Sequence, residues 1–384
     1  MSFEFAAPAR MVFGPGTLKE AGNAAAALGR RALVVTNRTV ERAKPLLALL
    51  AESRVEAVTC PTAGEPTMDD VRRAVARARE SGCDLAIGIG GGSALDLAKA
   101  AAAVLANGGD PLDYAEVIGR GRAITKPSMP WIAIPTTAGS GAEATKNAVI
   151  ASPEHGVKVS FRSPLMLARV AIVDPELTAG LPGAVTAATG LDALTQLIEA
   201  FTCTRANPVT DGFCREGLMR SARSLRRACR PPEDPAARTN LALASFLSGL
   251  ALSNAGLGAV HAIAGPFGGA FRAPHGAVCA RLLPEAMAAN VRALASRPQP
   301  GEALARYDEV ARLVTGSPRA AAADGVTWVK ELARDLGIPG LSSYGLTREG
   351  FPALVEKSLV ASSMKANPVK LTAGELREVL ERAL

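Results

Sequence analysis

The first half of the chain alternates short runs of β-branched and aliphatic residues with stretches of helical periodicity. This alternation is typical of strands joined by crossover helices in a parallel sheet. The runs that predict strands are residues 32–36, 56–60, 84–89, 131–135 and 170–173. The clearest intervening helix is predicted over residues 67–80, where Thr67 is a suitable cap. Its apolar face, at i, i+3, i+4 and i+7, comprises Val71, Ala74, Val75 and Ala78.

The pattern changes after Asp174 and Pro175, because strand-like runs stop and alanine- and leucine-rich helical stretches continue to the last residue. A length of 384 residues allows about two domains of ordinary size. We therefore predict an α/β dinucleotide-binding domain over residues 1–178. The second domain is predicted to be all-helical and to cover residues 179–384.

The remaining composition excludes several classes of protein. The net charge of +7 is spread diffusely, and its densest cluster, residues 220–230, is predicted to be the solvated face of a helix. Aromatic residues make up only 4%, which argues against a stacking surface for single-stranded nucleic acid. The uncharged stretch 239–271 contains polar residues and repeated glycines, so we predict a buried core rather than a membrane span. Six scattered cysteines without a C-x-x-C pair, and no signal-like start, predict a cytoplasmic protein.

Two loops that follow predicted strands have the composition of a phosphate site. In the first, Gly90, Gly91, Gly92 and Ser93 directly precede a predicted helix, where glycines let backbone N–H groups approach a pyrophosphate. A tight strand-to-helix turn is the alternative, since the pattern is not G-x-G-x-x-G. The second loop, residues 135–141, is rich in hydroxyl groups and small residues, as is an ordinary turn. Two such loops at strand ends together favour a nucleotide site.

The helical half contains a possible metal site. Asp192 and Gln196 are four residues apart, so they project from one face of a helix. His261 and His275 are two of only three histidines in the chain and flank a glycine-rich bend. Together with Asp192 they would form an Asp-His-His site for a divalent metal. Isolated histidines are also common as core or surface residues, and spacing alone leaves both interpretations open.

These segments together resemble the iron-containing (group III) alcohol dehydrogenase family over essentially the whole chain. The resemblance rests on several motifs in order: PARMVFGPGTL at 8–18, GGGSALDLAKA at 90–100, IPTTAGSGAEAT at 134–145, VDPELT at 173–178, TGLDALTQLIEA at 189–200 and NPVKLT at 367–372. It implies a Rossmann-like N-terminal domain and an all-helical C-terminal domain, the dehydroquinate synthase-like architecture. It also implies a homodimer that transfers hydride between a nicotinamide cofactor, NAD or NADP, and a small alcohol or aldehyde.

The resemblance extends to individual positions. Asp192, His261 and His275 match three ligands of a divalent metal, Fe²⁺ or Zn²⁺, which lowers the pKa of the substrate alcohol and through which these residues are catalytic. Gln196 stands where the iron-binding members have a fourth, histidine ligand. The positions that resemble cofactor-binding residues are Asn37, Gly90, Gly91, Gly92, Ser93, Asp96, Thr136, Thr137, Ser140 and Lys158.

Three departures from the family pattern bear on the chemistry. The neutral amide of Gln196 is a weaker ligand than imidazole, so a three-ligand zinc site becomes an alternative to iron. Gly265 replaces a family histidine near the substrate, which removes a proton relay and opens volume. At the end of the first predicted strand, Asn37 and Arg38 stand where NAD-preferring members carry an aspartate. Loss of that charge predicts use of NADP, while an Asn37 bond to the NAD ribose is the alternative.

Other functions compete with a metal-dependent alcohol dehydrogenase. A maleylacetate-reductase-like enzyme would reduce an anionic keto acid without metal, but retention of Asp192 argues against it. A dehydroquinate-synthase relative would need a dense set of lysines and arginines that the sequence lacks. A nucleotide-binding protein that has lost catalysis remains an alternative, given Gln196 and Gly265. No nucleic-acid or membrane partner is expected.

Overall fold

The computed structural model describes residues 2–231, 233–297 and 301–384. The chain forms two compact units. The first is an α/β unit of residues 5–137 and 141–179, and the second is a helical unit of residues 2–4, 138–140 and 180–384. The chain passes from one to the other between Ala179 and Gly180, while the sequence analysis placed the boundary after residue 178.

The α/β unit contains a six-stranded parallel sheet of order β1-β8-β5-β4-β2-β3 and a separate antiparallel hairpin of β6 and β7. The strands are β1 Arg10–Phe13, β2 Arg31–Asn37, β3 Glu56–Thr62, β4 Leu85–Gly90, β5 Trp131–Pro135, β6 Asn147–Ser152, β7 Val157–Arg162 and β8 Val170–Val173. The predicted parallel sheet is confirmed. The sequence analysis did not predict β1, whose four residues are half exposed, or the hairpin.

Helices cover both faces of the sheet, as the alternating direction of strand side chains requires. Leu33 and Val35 of β2 face one layer, and Ala32 and Val34 face the other. The helices are α1 Ala21–Ala26, α2 Lys44–Glu52, α3 Met68–Glu80 and α4 Gly92–Asn107. The helix predicted over 67–80 is confirmed as α3, which Thr67 caps by accepting a bond from the Asp70 N–H.

The helical unit packs its helices around α5. From residue 190 to residue 202 every residue of α5 is buried, because α6, α7 and α9 all pack against it. The helices are α5 Gly183–Thr202, α6 Pro208–Ala228, α7 Pro235–Asn254, α8 Ala259–Ala270, α9 His275–Ser296, α10 Gly301–Thr315, α11 Ala322–Asp335, α12 Phe351–Val360 and α13 Ala373–Ala383. This confirms the predicted helical C-terminal domain.

Two further predictions concern this unit. The arginine cluster lies on α6, where Arg220, Arg226 and Arg227 pair with carboxylates at partly exposed positions, as predicted for a solvated face. The uncharged stretch forms α7 and α8, which bend by 95° between them and are largely buried. Among the described residues, no single helix has the length and apolar character needed to cross a membrane, and only this bent pair satisfies the criterion jointly.

Candidate functional site

The glycine-rich loop joins β4 to α4 at the carboxyl edge of the sheet. Gly90 ends β4 with φ of 156°, and a Cβ on it would lie 2.5 Å from Asn37 Oδ1. Only glycine accommodates both this conformation and this approach. Gly91 is the N-cap of α4, and no side chain in the described part of the molecule caps it by a hydrogen bond. The helix therefore begins with backbone N–H groups of the kind that bind phosphate.

The hydroxyl-rich loop follows β5 and meets the glycine-rich loop. The Thr136 N–H donates to the Gly90 carbonyl at 2.8 Å. The Thr137 side chain lies 3.5 Å from where a Gly91 Cβ would be. The structure thus brings Asn37, Gly90, Gly91, Thr136 and Thr137 to one edge of the sheet, and Gly92 and Ser93 form the first turn of α4 beside them.

Three other residues predicted to bind the cofactor have different surroundings. Asp96 lies one turn into α4, where its Oδ2 accepts from the Val149 N–H at 3.0 Å. Lys158 lies on β7, and its Nζ pairs with Glu65 Oε1 at 2.5 Å. Ser140 lies in the segment 138–140, which belongs to the helical unit. Cofactor contact remains a prediction for these residues, as it does for the loop residues.

A cluster of metal-ligating side chains lies in the helical unit. The cluster consists of Asp192 on α5, His261 on α8, and His275 and Cys279 on α9, with one donor atom of each within 4.8 Å of the others. His261 Nε2 lies 3.5 Å from Asp192 Oδ1. Cys279 Sγ lies 3.5 Å from His275 Nε2 and 3.9 Å from His261 Nε2. We call these four side chains the donor cluster.

Close packing of the helices forms the donor cluster. A Cβ on Gly276 would lie 2.4 Å from the Ala188 carbonyl oxygen and 3.3 Å from Asp192 Cβ, so glycine lets the start of α9 approach α5. The start of α8 is fixed in turn by Asn367, whose Oδ1 accepts from the Ala259 N–H at 3.0 Å. These contacts bring His275 and His261 to the same carboxylate, with their ring centroids 5.6 Å apart.

Glu199 contacts one member of the donor cluster, His261, on the ring nitrogen that faces away from Asp192. Its Oε2 lies 2.5 Å from His261 Nδ1, and its Oε1 accepts from the Val260 N–H at 2.7 Å. With Nδ1 donating to Glu199, Nε2 is the ring nitrogen that faces Asp192 and Cys279. In the sequence, Glu199 lies seven residues after Asp192, a spacing that places both on one helix face and could have indicated this role.

Gln196, which was expected at the fourth ligand position, makes a hydrogen bond to a neighbouring helix. Cys279, which was not predicted, lies among the metal-ligating side chains. The Gln196 side chain is buried, and its Oε1 accepts a hydrogen bond from Ser248 Oγ at 2.6 Å. Cys279 instead supplies the fourth donor of the donor cluster. Sequence reasoning missed Cys279, although its position four residues after His275 on a helix was a usable signal.

The charges of the donor cluster shift its pKa values. Burial raises the pKa of Asp192, but the adjacent imidazoles of His261 and His275 outweigh burial and hold it below its usual range. Burial lowers the pKa of His261, but Cys279, Glu199 and Asp192 together raise it well above its usual value. The charge of Cys279 is the main cause that raises the pKa of His275 to about 8. The groups that raise the pKa of His261 and His275 favour positive charge at this place, and they would also favour a bound cation.

The donor cluster has the chemistry of a divalent-metal site. Asp192 Oδ1 is buried and accepts no hydrogen bond from any residue that the structure describes. A buried carboxylate oxygen without a partner is costly, and a bound cation would remove that cost. Carboxylate, imidazole and thiolate are the donors found around zinc and related metals.

Two family profiles and several known enzymes are similar to this chain. The profile of "Iron-containing alcohol dehydrogenase" matches residues 8–175, and that of "Fe-containing alcohol dehydrogenase family, C-terminal" matches residues 186–384. The chain is 35% identical to the 4-hydroxybutyrate dehydrogenase of Cupriavidus necator, with 92% of each chain covered. It is 34% identical to the 1,3-propanediol dehydrogenase of Klebsiella pneumoniae, with 99% of this chain and 98% of that enzyme covered.

Solved structures show the same architecture. A crystal structure of a 1,3-propanediol oxidoreductase superposes with a TM-score of 0.92, at 32% identity and with 100% of both chains covered. The sulfoacetaldehyde reductase of Bifidobacterium kashiwanohense, in complex with NAD⁺, gives 0.85 at 28% identity, with 100% of this chain and 99% of that chain covered. The chain therefore belongs to the iron-containing alcohol dehydrogenase family and is an oxidoreductase that acts on CH–OH groups.

Proposed function

We propose that this enzyme interconverts small primary alcohols and their aldehydes, with a nicotinamide cofactor and a divalent metal held by Asp192, His261 and His275. The observation that carries the proposal is the donor cluster, in which a buried carboxylate oxygen that accepts no hydrogen bond from the described residues faces two imidazoles. The family implies NAD(H) and a metal, usually iron. The retained Asp192 also disfavours the metal-independent, maleylacetate-reductase-like alternative.

Each protein group has a defined task in this proposal. Asp192 supplies a negative charge, and the two histidines supply neutral Nε2 donors. Glu199 accepts the Nδ1 proton of His261 and so fixes the ring orientation. When bound, a divalent cation would act as a Lewis acid on the substrate oxygen. One carboxylate and two neutral imidazoles are a donor set that would still let such a cation polarise that oxygen.

The substrate class follows from the relatives and from one glycine. The names of two relatives, 4-hydroxybutyrate dehydrogenase and 1,3-propanediol dehydrogenase, refer to short chains with a terminal hydroxyl group. A Cβ on Gly265 would meet nothing within 4 Å, so the space of the replaced histidine is open. We propose that water or a cofactor ribose hydroxyl carries the proton there.

The end of β2 supports use of NADPH as well as NADH. Asn37 Oδ1 lies against Gly90, beside the start of α4, and the following Arg38 is exposed. The neutral amide of Asn37 would not repel a 2′-phosphate, and the guanidinium of Arg38 could pair with it. A preference of a hundredfold or more for NADH over NADPH would contradict this part of the proposal.

We further propose a cytoplasmic homodimer. The resemblance supports the dimer, and the six cysteines, all unpaired in the structure, suit a reducing compartment. Light scattering after size-exclusion chromatography tests the dimer, and cell fractionation tests the location.

The deciding experiment measures oxidation of NADH and of NADPH with a panel of short neutral and anionic aldehydes. Chelator-stripped protein is compared with the same protein reloaded with ferrous iron or zinc. We expect activity to return only with metal. Equal activity without metal would contradict the proposal and favour the metal-independent alternative. Absence of both metal binding and activity would favour a nucleotide-binding protein that has lost catalysis.

A further inference from the structure

We propose that Cys279 is a fourth protein ligand of the metal and that the resulting aspartate, two-histidine and cysteine site prefers zinc to iron. The inference rests on the proposed metal-dependent function and goes beyond it in naming a ligand and a metal. Its first support is position: Cys279 Sγ lies 3.5 Å from His275 Nε2, 3.9 Å from His261 Nε2 and within 4.8 Å of an Asp192 oxygen.

These separations match those of donors that share one ion. With Zn–N bonds of about 2.0 Å and Zn–S bonds of about 2.3 Å, two ligands at a tetrahedral angle lie about 3.5 Å apart. The three neighbouring pairs in the donor cluster lie at 3.5, 3.5 and 3.9 Å. The other three pairs lie within 4.8 Å, so side-chain adjustments within this limit would bring all four donors onto one ion.

The surroundings of Cys279 differ from those of a structural cysteine. Cys203, which is also buried in the helical unit, donates its thiol proton to the Ala200 carbonyl at 3.3 Å. Cys279 is fully buried, and its sulfur faces the imidazoles of His261 and His275. Asp192 Oδ1 supplies an independent observation, because it is buried in the same donor cluster and accepts no hydrogen bond within the described ranges.

The predicted fourth ligand, Gln196, is occupied elsewhere. Its Oε1 accepts the short bond from Ser248 Oγ, which turns the amide oxygen toward α7. A neutral amide is also a weaker ligand than a thiolate. Cys279 therefore takes over the fourth position from a different helix.

The thiolate changes the properties of the site. On metal binding the thiol proton leaves to solvent, and one thiolate with one carboxylate balances the two charges of the ion. A soft sulfur donor favours zinc over ferrous iron. Catalytic zinc accommodates a fifth ligand, so four protein donors still leave a position for a substrate oxygen.

Cobalt(II) substitution of the full-length protein tests the proposal. We expect wild-type protein to bind one cobalt ion per chain and to show visible d–d bands together with a near-ultraviolet thiolate charge-transfer band. The Cys279→Ser variant should lose the charge-transfer band, keep the d–d bands and bind zinc at least about 10-fold more weakly. The matched control, Cys203→Ser, should keep the wild-type spectrum and affinity.

Three other results would overturn the proposal, and they differ in what else they contradict. Visible d–d bands without a charge-transfer band in wild type, or a charge-transfer band that persists in Cys279→Ser, would reject Cys279 but leave the metal-dependent function standing. No cobalt bands at all would reject both.

X-ray absorption of the zinc-loaded wild type gives a second answer that does not depend on a variant folding. A sulfur neighbour at about 2.3 Å from zinc is expected. A shell of nitrogen and oxygen alone would overturn the proposal.

Discussion

Each unit of the molecule buries a cluster of ionisable side chains, and the two clusters differ in whether the protein satisfies them. In the α/β unit the fully buried Lys99 ammonium donates to the Ala142 and Asn147 carbonyls and to Thr145 Oγ1, at 2.7–2.8 Å. In the helical unit Asp192 Oδ1 has no hydrogen bond from any described residue, and two histidines and a cysteine point toward it.

This difference separates a structural cluster from a binding cluster. All three ammonium hydrogens of Lys99 have protein acceptors, and burial lowers its pKa only to about 8. The Lys99 ammonium therefore has its hydrogen-bond partners within the protein and ties α4 to the segment that leads into β6. In the donor cluster, by contrast, Asp192 Oδ1 accepts no hydrogen bond from the described residues, and this is where we propose that a cation binds. Four predictions test this distinction.

The largest effect is expected for Asp192→Asn, which removes the charged ligand without changing its shape. Turnover should fall about 1000-fold, because a metal supplies several kcal/mol of charge stabilisation in such reactions. Metal per chain, measured by mass spectrometry, should fall with it. Asp335→Asn in the same unit, which removes only a surface partner of Arg226 and Arg334, should change neither. If Asp192→Asn kept its full metal content, the donor cluster could no longer be distinguished from the Lys99 cluster as a metal-binding cluster.

Lys99→Met should damage stability and leave the metal site intact. Removing one partner from a buried charged network destabilises by about 3 kcal/mol, so the thermal unfolding midpoint should drop clearly. Metal content should stay at the wild-type value. The control is Lys44→Met, an exposed position of the same unit, which should stay within about 0.5 kcal/mol. Loss of metal in Lys99→Met would show that the two clusters are coupled.

Removal of the metal by a chelator should destabilise the helical unit rather than the α/β unit. A metal present at 100 times its dissociation constant stabilises the state that binds it by about 2.7 kcal/mol. Hydrogen exchange should therefore become faster in α5, α8 and α9 after metal removal, while amides of β4 and β5 keep their protection. Equal loss of protection in both units would contradict the assignment of the metal to the helical unit.

The smallest effect is expected for Glu199→Gln. The amide can still accept from the Val260 N–H, but it no longer holds the His261 ring by a charged bond. Loss of such an outer partner typically weakens metal affinity 10- to 100-fold. Glu309→Gln, which removes only the partly exposed partner of Arg215, is the control. Unchanged zinc affinity in Glu199→Gln would show that packing alone orients His261.

Much of the fold could be predicted because its signals are local. Buried parallel strands such as β4 and β5 are continuous apolar runs, and α3 combines a cap with a regular apolar face. β1 was not predicted because it has only four residues and the first two are exposed. The hairpin was not predicted because its pairing depends on contact between two short segments of mixed composition.

The sequence by itself determined the class of fold, the two glycine- and hydroxyl-rich loops, and three members of the donor cluster, because strand composition, helix periodicity and motif order are properties of neighbouring residues. Only the tertiary structure decided that Cys279 faces the histidines, that Glu199 holds His261 and that Gln196 bonds to Ser248. Each of these depends on how α5, α7, α8 and α9 pack at close range. Helix packing fixes distances between residues up to 87 positions apart, from Asp192 to Cys279, and no local pattern encodes such distances.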